Sequence, residues 1–395
     1  MSLAIVRWTA LITVFVMSVS GCSYFNTTAV DEDVDLTEID ESEKADPLDG
    51  GKSGLANNAP LAEGELELKL KVGDRFPLSK TVEHRLIQTD KDGTRLSTSR
   101  TDMVLSLVVD DVLADGRKQL TARYHRVKYE QDIRGKRISY SSDNPLESVP
   151  AEALLYAGLA NNGFSFWIGS NNKIASVVDF GDFLRRCLRN VPEQHKKSVQ
   201  QQLESTKGED GISNFIDDSI GLLPYSGDPK HPAVAVKEGS SWELEPRRTD
   251  SPIPMLVTTR CILKDLSANS AEILLTGQIS GSPDFVTMRN ADGEIRVLVK
   301  GGHCSGTCRV DRKTGLPTQS QIQRSLELAM ELPDGQKIQQ NKDTLSTITA
   351  FLDQSPKPSA NADSRVQQTN FQNAIGNESH RQVVPANSSL SRENQ

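Results

Sequence analysis

From Leu316 to Leu332 the chain alternates with a period of two. One face reads Leu316, Thr318, Ser320, Ile322, Arg324, Leu326, Leu328, Met330 and Leu332. The other reads Pro317, Gln319, Gln321, Gln323, Ser325, Glu327, Ala329 and Glu331. Successive side chains of a strand point to opposite faces, so this spacing predicts one long strand with a wet face and a mostly apolar face. Met103, Leu105, Leu107 and Val109 line a second such run, and Ala271, Ile273, Leu275 and Ile279 a third. Turn signals punctuate the runs: Asp92-Gly93, Asp115-Gly116, Asp292-Gly293, Thr314-Gly315 and Asp334-Gly335. Hairpins in series predict an antiparallel meander rather than βαβ units.

A helical block interrupts the strands. Pro150 opens Ala151–Ala160, and Phe180, Phe183, Leu184, Cys187 and Leu188 recur with the spacing of a helix face. Pro192 starts Glu193–Ser205, and Ile212, Phe215, Ile216 and Ile220 make one more helical stripe. The expected body is therefore an α+β domain over residues 65–352, in which a curved, half-barrel-like antiparallel sheet wraps on a central helical insertion. Lys71-Val72-Gly73-Asp74-Arg75-Phe76 echoes Lys237-Glu238-Gly239-Ser240-Ser241-Trp242, each before a strand-like run. If this is a repeat, both halves of the sheet enter through the same Gly-bearing turn.

The ends of the chain differ from its body. Arg7 precedes an apolar stretch from Trp8 to Val19, whose twelve residues would reach only about 18 Å as a helix, against a hydrocarbon core of about 30 Å. That length predicts a signal peptide over residues 1–21. The stretch ends in Val19-Ser20-Gly21-Cys22, which resembles the lipobox of bacterial lipoproteins. The resemblance implies lipid attachment at Cys22, export and a membrane anchor. Ser23, where an Asp tends to retain Gram-negative lipoproteins at the inner membrane, leans toward the outer membrane.

Residues 22–64 read as a disordered acidic tether. Eleven carboxylates stand against two lysines there, and such a segment buries too little apolar surface to offset its ordering entropy. Residues 353–395 read as a disordered polar tail. Net charge over the chain is −8, and the tether carries all of it, leaving the body neutral.

Composition excludes several classes. No apolar run reaches the ~20 residues of a membrane helix. Five cysteines among 395 residues are too sparse for a disulfide scaffold. The acidic balance, without a basic run, argues against a nucleic-acid partner. The tyrosine-bearing basic cluster Arg123–Arg137 reads as a solvated strand pair.

Candidate chemistry is sparse, and no catalytic residue is expected. Gly302-His303-Cys304-Ser305-Gly306 has the spacing of a nucleophile elbow, but the segment after it reads as strand and turn, without the helix an elbow requires. Cys304 and Cys308 lack the second ligand pair of a structural zinc site, so no metal or other cofactor is expected. An exported body permits one disulfide, with Cys304 or Cys308 in it. Alternating Asp31, Asp33 and Asp35 fail the calcium-loop pattern at Leu36 and Ser42.

Long strands, a helix block and a lipid anchor resemble the half-barrel envelope lipoproteins, such as lipoprotein carriers and chaperones. The body is also similar to an uncharacterised family of exported bacterial proteins with a domain of unknown function. The Lys71–Phe76 entry, and Gly301-Gly302 through Gly315-Leu316 before the long strand, carry that similarity. Neither transfers a site. The expected function is non-catalytic binding of an apolar ligand or a protein partner at the cell envelope, with Phe164, Phe166, Trp167, Phe180 and Phe183 lining a cavity between sheet and helices. The alternatives are a pocketless envelope scaffold and a cysteine- or metal-dependent enzyme.

Overall fold

The computed structural model describes residues 63–351, apart from 146–147, 205–215, 217, 229–230, 250–252 and 291–292. The signal segment, Cys22, nearly all of the acidic tether, the tail, and Ile212 and Phe215 of the last helical stripe lie outside the described residues.

In the first half the strands are β1 (Glu63–Leu66), β2 (Arg75–Asp90), β3 (Gly93–Val112), β4 (Lys118–Ile133), β5 (Lys136–Ser141), β6 (Gly163–Ile168) and β7 (Ile174–Val178). In the second they are β8 (Val234–Lys237), β9 (Ser241–Thr249), β10 (Met255–Leu266), β11 (Ser270–Gly281), β12 (Val286–Asn290), β13 (Gly293–Asp311), β14 (Pro317–Glu331) and β15 (Lys337–Ala350). Thirteen of them form one antiparallel sheet with the path β7-β6-β4-β3-β2-β15-β14-β13-β11-β10-β9, β5 adding to β4 and β12 to β13. Two meanders, each in chain order, are thus joined where β2 pairs with β15, from Leu78↔Ala350 to Thr89↔Gln339. β1 and β8 form a separate two-stranded sheet.

The α+β expectation is corrected by this architecture. Among the described residues the protein is mostly β, 61 % strand against 10 % helical, and its sheet does not close. The α-helices among them are three short ones: α1 (Leu154–Leu159), α2 (Phe180–Leu188) and α3 (Glu193–Glu204). Each buries apolar side chains in the main cluster, such as Phe180, Phe183 and Cys187 of α2; α1 and α2 pack on the sheet, and α3 packs on those two helices. None is long enough to organise a layer. They are a patch on a continuous sheet rather than an insertion about which the sheet wraps.

Both meanders enter through the same turn. Gly73 (φ +88°) donates its N–H to Val109 O at 2.8 Å, and Gly239 (φ +82°) donates to Leu263 O at 2.8 Å. Asp74 N bonds Lys71 O at 3.0 Å, as Ser240 N bonds Lys237 O at 2.9 Å. The side chains agree as well, Asp74 Oδ2 accepting from Lys71 N and Ser240 Oγ from Lys237 N. Both glycines occupy the left-handed region, where a Cβ is strained, which accounts for the echo between the two hexapeptides.

One face of the sheet is the core face. It takes the even residues of β2, β14 and β15 and the odd residues of β3 and β11. Leu105, Leu107, Leu120, Phe166, Ile273 and Ile348 are at most 1 % exposed there and join the helices in the main apolar cluster. Each such side chain contributes roughly 1.5–3 kcal/mol by burial. A second cluster, with Val297, Leu328, Met330 and Ile338, occupies the other end of the same face.

Candidate binding site

Between the two apolar clusters the core face turns polar. Lys80 on β2 lies opposite Ile348, Ser346 on β15 opposite Ile322, and Arg324 on β14 opposite Thr344. The three side chains therefore run diagonally over neighbouring strands, each at a position where alternation calls for an apolar residue.

A crossing segment, here called the strap (residues 218–222), meets this diagonal. Ile216 just before it, and Leu222 and Leu223 at its end, are buried in the main cluster, and Trp242 Nε1 donates to Leu222 O at 2.9 Å. Asp218 is thereby pressed onto the sheet. Its Oδ1 accepts from Ser346 Oγ at 2.9 Å and lies 3.5 Å from Lys80 Nζ. Its Oδ2 lies 3.6 Å from Arg324 Nη2. Burial alone would push the Asp218 carboxyl up. Lys80, then Arg324 and the Ser346 hydroxyl, outweigh it and hold the group below the usual carboxylate range. His84, on the same face and 3.0 Å from Thr344 Oγ1, is driven down to about 3 by burial, then by Lys342 and Lys80, and stays neutral.

A cavity of about 320 Å³ opens beside the cluster, between the strap and the core face of β9, β10, β11, β13 and β14. Its walls include Ile220, Leu222, Leu244, Val257, Leu275 and Ile322, and Asp218 and Arg324 lie at its border. Sequence accounts for the hollow. Thr259, Gly277 and Cys304 stand in register across β10, β11 and β13; the short side chains of Thr259 and Cys304 line the hollow, while Gly277 itself is closely packed. A methyl group on Gly277 would sit 2.3 Å from Thr258 O and 2.6 Å from Cys304 Sγ. The mouth is charged: Lys173, Arg247 and Arg248 join Arg324 as cations, and Glu245, paired to Lys173, joins Asp218 as an anion.

On the opposite face a shallow groove of about 750 Å³ crosses β4, β3, β2 and β15. Several of its charges are paired: Arg100 binds Glu83 at 2.6 Å and Asp102 at 3.0 Å, and Arg137 meets Asp132 at 3.3 Å. The basic cluster of β4 behaves alike, Lys128 pairing with Glu130 and Arg126 with Asp143.

None of the five aromatic residues expected to line a cavity borders the hollow under the strap. Phe164, Phe166, Phe180 and Phe183 are buried in the main cluster, with ring centroids 4.9 Å apart for Phe164–Phe183 and 5.8 Å for Phe180–Phe183. Trp167 lies on the opposite face of β6, its ring 5.7 Å from the Arg117 guanidinium.

The disulfide expected at Cys304 or Cys308 is not formed. Both are buried thiols outside any disulfide, as are Cys187 and Cys261. Four residues apart on β13, they lie roughly 13 Å from each other along the strand, beyond disulfide reach. Burial pushes the Cys187 and Cys261 thiols up to about 12. The elbow-like Gly302–Gly306 runs mid-strand, with β13 continuing to Asp311, so no helix N-terminus faces Cys304.

Lys80, Asp218, Arg324 and Ser346 were not singled out from sequence. Their signal was present as polar residues on an otherwise apolar alternating face, Arg324 and Ser320 in the Leu316–Leu332 run.

No curated protein matches this chain. Among solved structures, one concerning lipid–protein interactions in lipovitellin is similar over 72 % of this chain and 26 % of its own, at 10 % identity and a TM-score of 0.38. This chain thus spans about a quarter of that protein's length. The β domain of the Bordetella autotransporter BrkA is similar over 70 % of this chain and 99 % of its own, at 8 % identity and a TM-score of 0.18. A domain of an outer-membrane lipoprotein-sorting protein from Vibrio parahaemolyticus is similar over 67 % and 84 %, at 8 % identity and a TM-score of 0.11. At such scores these likenesses carry no weight for function. Residues 115–317, from the β3–β4 turn to the start of β14, match a family of unknown function. That span holds Asp218 and Cys304, while Lys80, Arg324 and Ser346 fall outside it. With just over half of its length matched, the chain belongs to this family of unknown function, DUF6263.

Proposed function

We propose that this chain is a non-catalytic, lipid-anchored envelope protein that binds an apolar ligand in the cavity under the strap. The anchor part of the reading rests on Val19-Ser20-Gly21-Cys22. The binding part rests on one observation: a hollow of about 320 Å³ between the strap and the sheet, in which apolar side chains such as Val257 and Leu275 stand beside a charged mouth. Ligand sites of roughly 300–1,000 Å³ with apolar lining and a few convergent polar groups are common, and this one lies at the lower end of that range. The groove on the opposite face supports a partner-binding scaffold less well, because Arg100 and Arg137 there are already paired with carboxylates.

The test uses the full chain and decanol, titrated by calorimetry. Saturable binding with a negative heat-capacity change is expected. Val257→Phe, which fills the hollow from β10, is expected to weaken it by about tenfold or more. Absent binding, or binding indifferent to Val257→Phe, would contradict the reading.

A further inference from the structure

We infer that Lys80, Ser346 and Arg324 form an anion site for the head group of the cavity's ligand, and that Asp218 occupies this site when the ligand is absent. The inference rests on the binding reading above and names the ligand class: an amphiphile with a carboxylate or similar anionic head on an apolar tail.

Three features support it. The cradle is supplied by three adjacent strands of a continuous sheet, whereas Asp218 comes from the strap, so receptor and occupant belong to different elements. Both cationic contacts to Asp218 are long, 3.5 Å from Lys80 and 3.6 Å from Arg324. Well-matched charge-assisted bonds measure about 2.7–2.9 Å. Asp218 fills the cradle without fitting it closely. Lastly, Asp218 and Arg324 border the cavity itself, so a tail lying against Val257 and Leu275 brings its head to the cluster. Exchange needs only the Asp218 carboxylate to swing aside, because Ile216 and Leu222 fix the backbone on either side of it.

The experiment titrates the full chain with decanoate, decanol and acetate by calorimetry. Asp218→Asn removes the competing charge. Decanoate affinity is expected to rise about tenfold, with decanol changed by less than about twofold. Arg324→Gln leaves Asp218 in place and alters a side chain already 25 % exposed, so it tests the same claim if Asp218→Asn does not fold. It is expected to weaken decanoate about tenfold and spare decanol. Acetate, lacking a tail, is expected to bind neither variant measurably. If decanol binds but both variants leave decanoate unchanged, the anion site is refuted and the cavity reading survives. If acetate binds as tightly as decanoate, the site is one for free anions and the inference fails. If neither decanol nor decanoate binds the wild-type chain, the cavity reading falls and the inference with it.

Discussion

Lys80 and Asp218, 138 residues apart in the chain, meet with Nζ 3.5 Å from Oδ1, each side chain 1 % exposed. A buried pair of this kind adds little over an apolar replacement of the same shape, but removing one partner strands the other charge. Lys80→Met is therefore expected to cost about 3 kcal/mol in urea unfolding. Adding Asp218→Asn should recover at least about 1 kcal/mol of that loss. Additive losses in the double variant would show that the two residues do not interact energetically.

Stability should fall on acidification in two stages. His84 has its folded pKa lowered to about 3 from 6.5, so below pH 6.5 the unfolded chain binds a proton that the folded chain refuses. Stability then declines as pH drops from 6.5 toward 3, with a limiting slope of about 1.4 kcal/mol per unit. Asp218, lowered from 3.8, contributes stability that is complete above that value and is lost as pH falls through the lower folded value. Urea midpoints measured across this window should show His84→Gln flattening the first stage only. An unchanged slope would place the proton uptake elsewhere.

Trp242 Nε1 ties the strap to β9 through Leu222 O at 2.9 Å. Trp242→Phe keeps most of the ring and removes this bond, so a cost of about 1 kcal/mol is expected. Amide exchange at residues 220–223 should accelerate ahead of the sheet, since local opening precedes global unfolding. Uniform acceleration throughout the chain would show that the strap is not a separate unit.

Gly277 has room only for hydrogen. Gly277→Ala sets a methyl group against Thr258 O and Cys304 Sγ, and an overpacking loss of about 1–3 kcal/mol is expected. Gly73→Ala meets no atom but imposes φ +88° on a residue with a Cβ, and its cost should be nearer 1 kcal/mol. Thermal unfolding of the two variants separates crowding from backbone strain; equal losses would remove the distinction.

Cys304 lies on the cavity wall, whereas burial away from it holds the Cys187 and Cys261 thiols near 12. Maleimide labelling of the full chain, read by peptide mass spectrometry, should favour Cys304 over those two, and decanol should protect it. Preferential labelling of Cys187 or Cys261 would contradict the cavity's position.

Much of the sheet was legible because alternation states which face each residue takes. Met103, Leu105, Leu107 and Val109 are all at most 2 % exposed, as a half-wet strand requires. The left-handed glycines at 73 and 239 were visible as a weak repeat and became a shared turn. The weight of the helices was misjudged, since a helical stripe such as Phe180–Leu188 looks alike whether it forms a layer or a patch. The hollow under the strap drew no signal from its own residues for a related reason. Aromatic rings at Phe164 and Phe183 mark apolar surface, but large side chains fill space. The hollow lies beside Thr259 and Cys304, and their alignment through Gly277 depends on register among three strands that no single stretch of chain encodes. The Lys80–Asp218 contact joins distant segments, and only its polar interruptions of an apolar face were readable.

Photo-crosslinking tests the central claim most directly. A diazirine analogue of decanoic acid, irradiated with the full chain and mapped by peptide mass spectrometry, should mark the strap and the facing stretches around Leu244, Val257 and Arg324, and unlabelled decanoate should suppress those marks. Adducts confined to the opposite face around Arg100 and Arg137, or marks at the strap that decanoate does not suppress, would contradict a ligand site beneath Asp218.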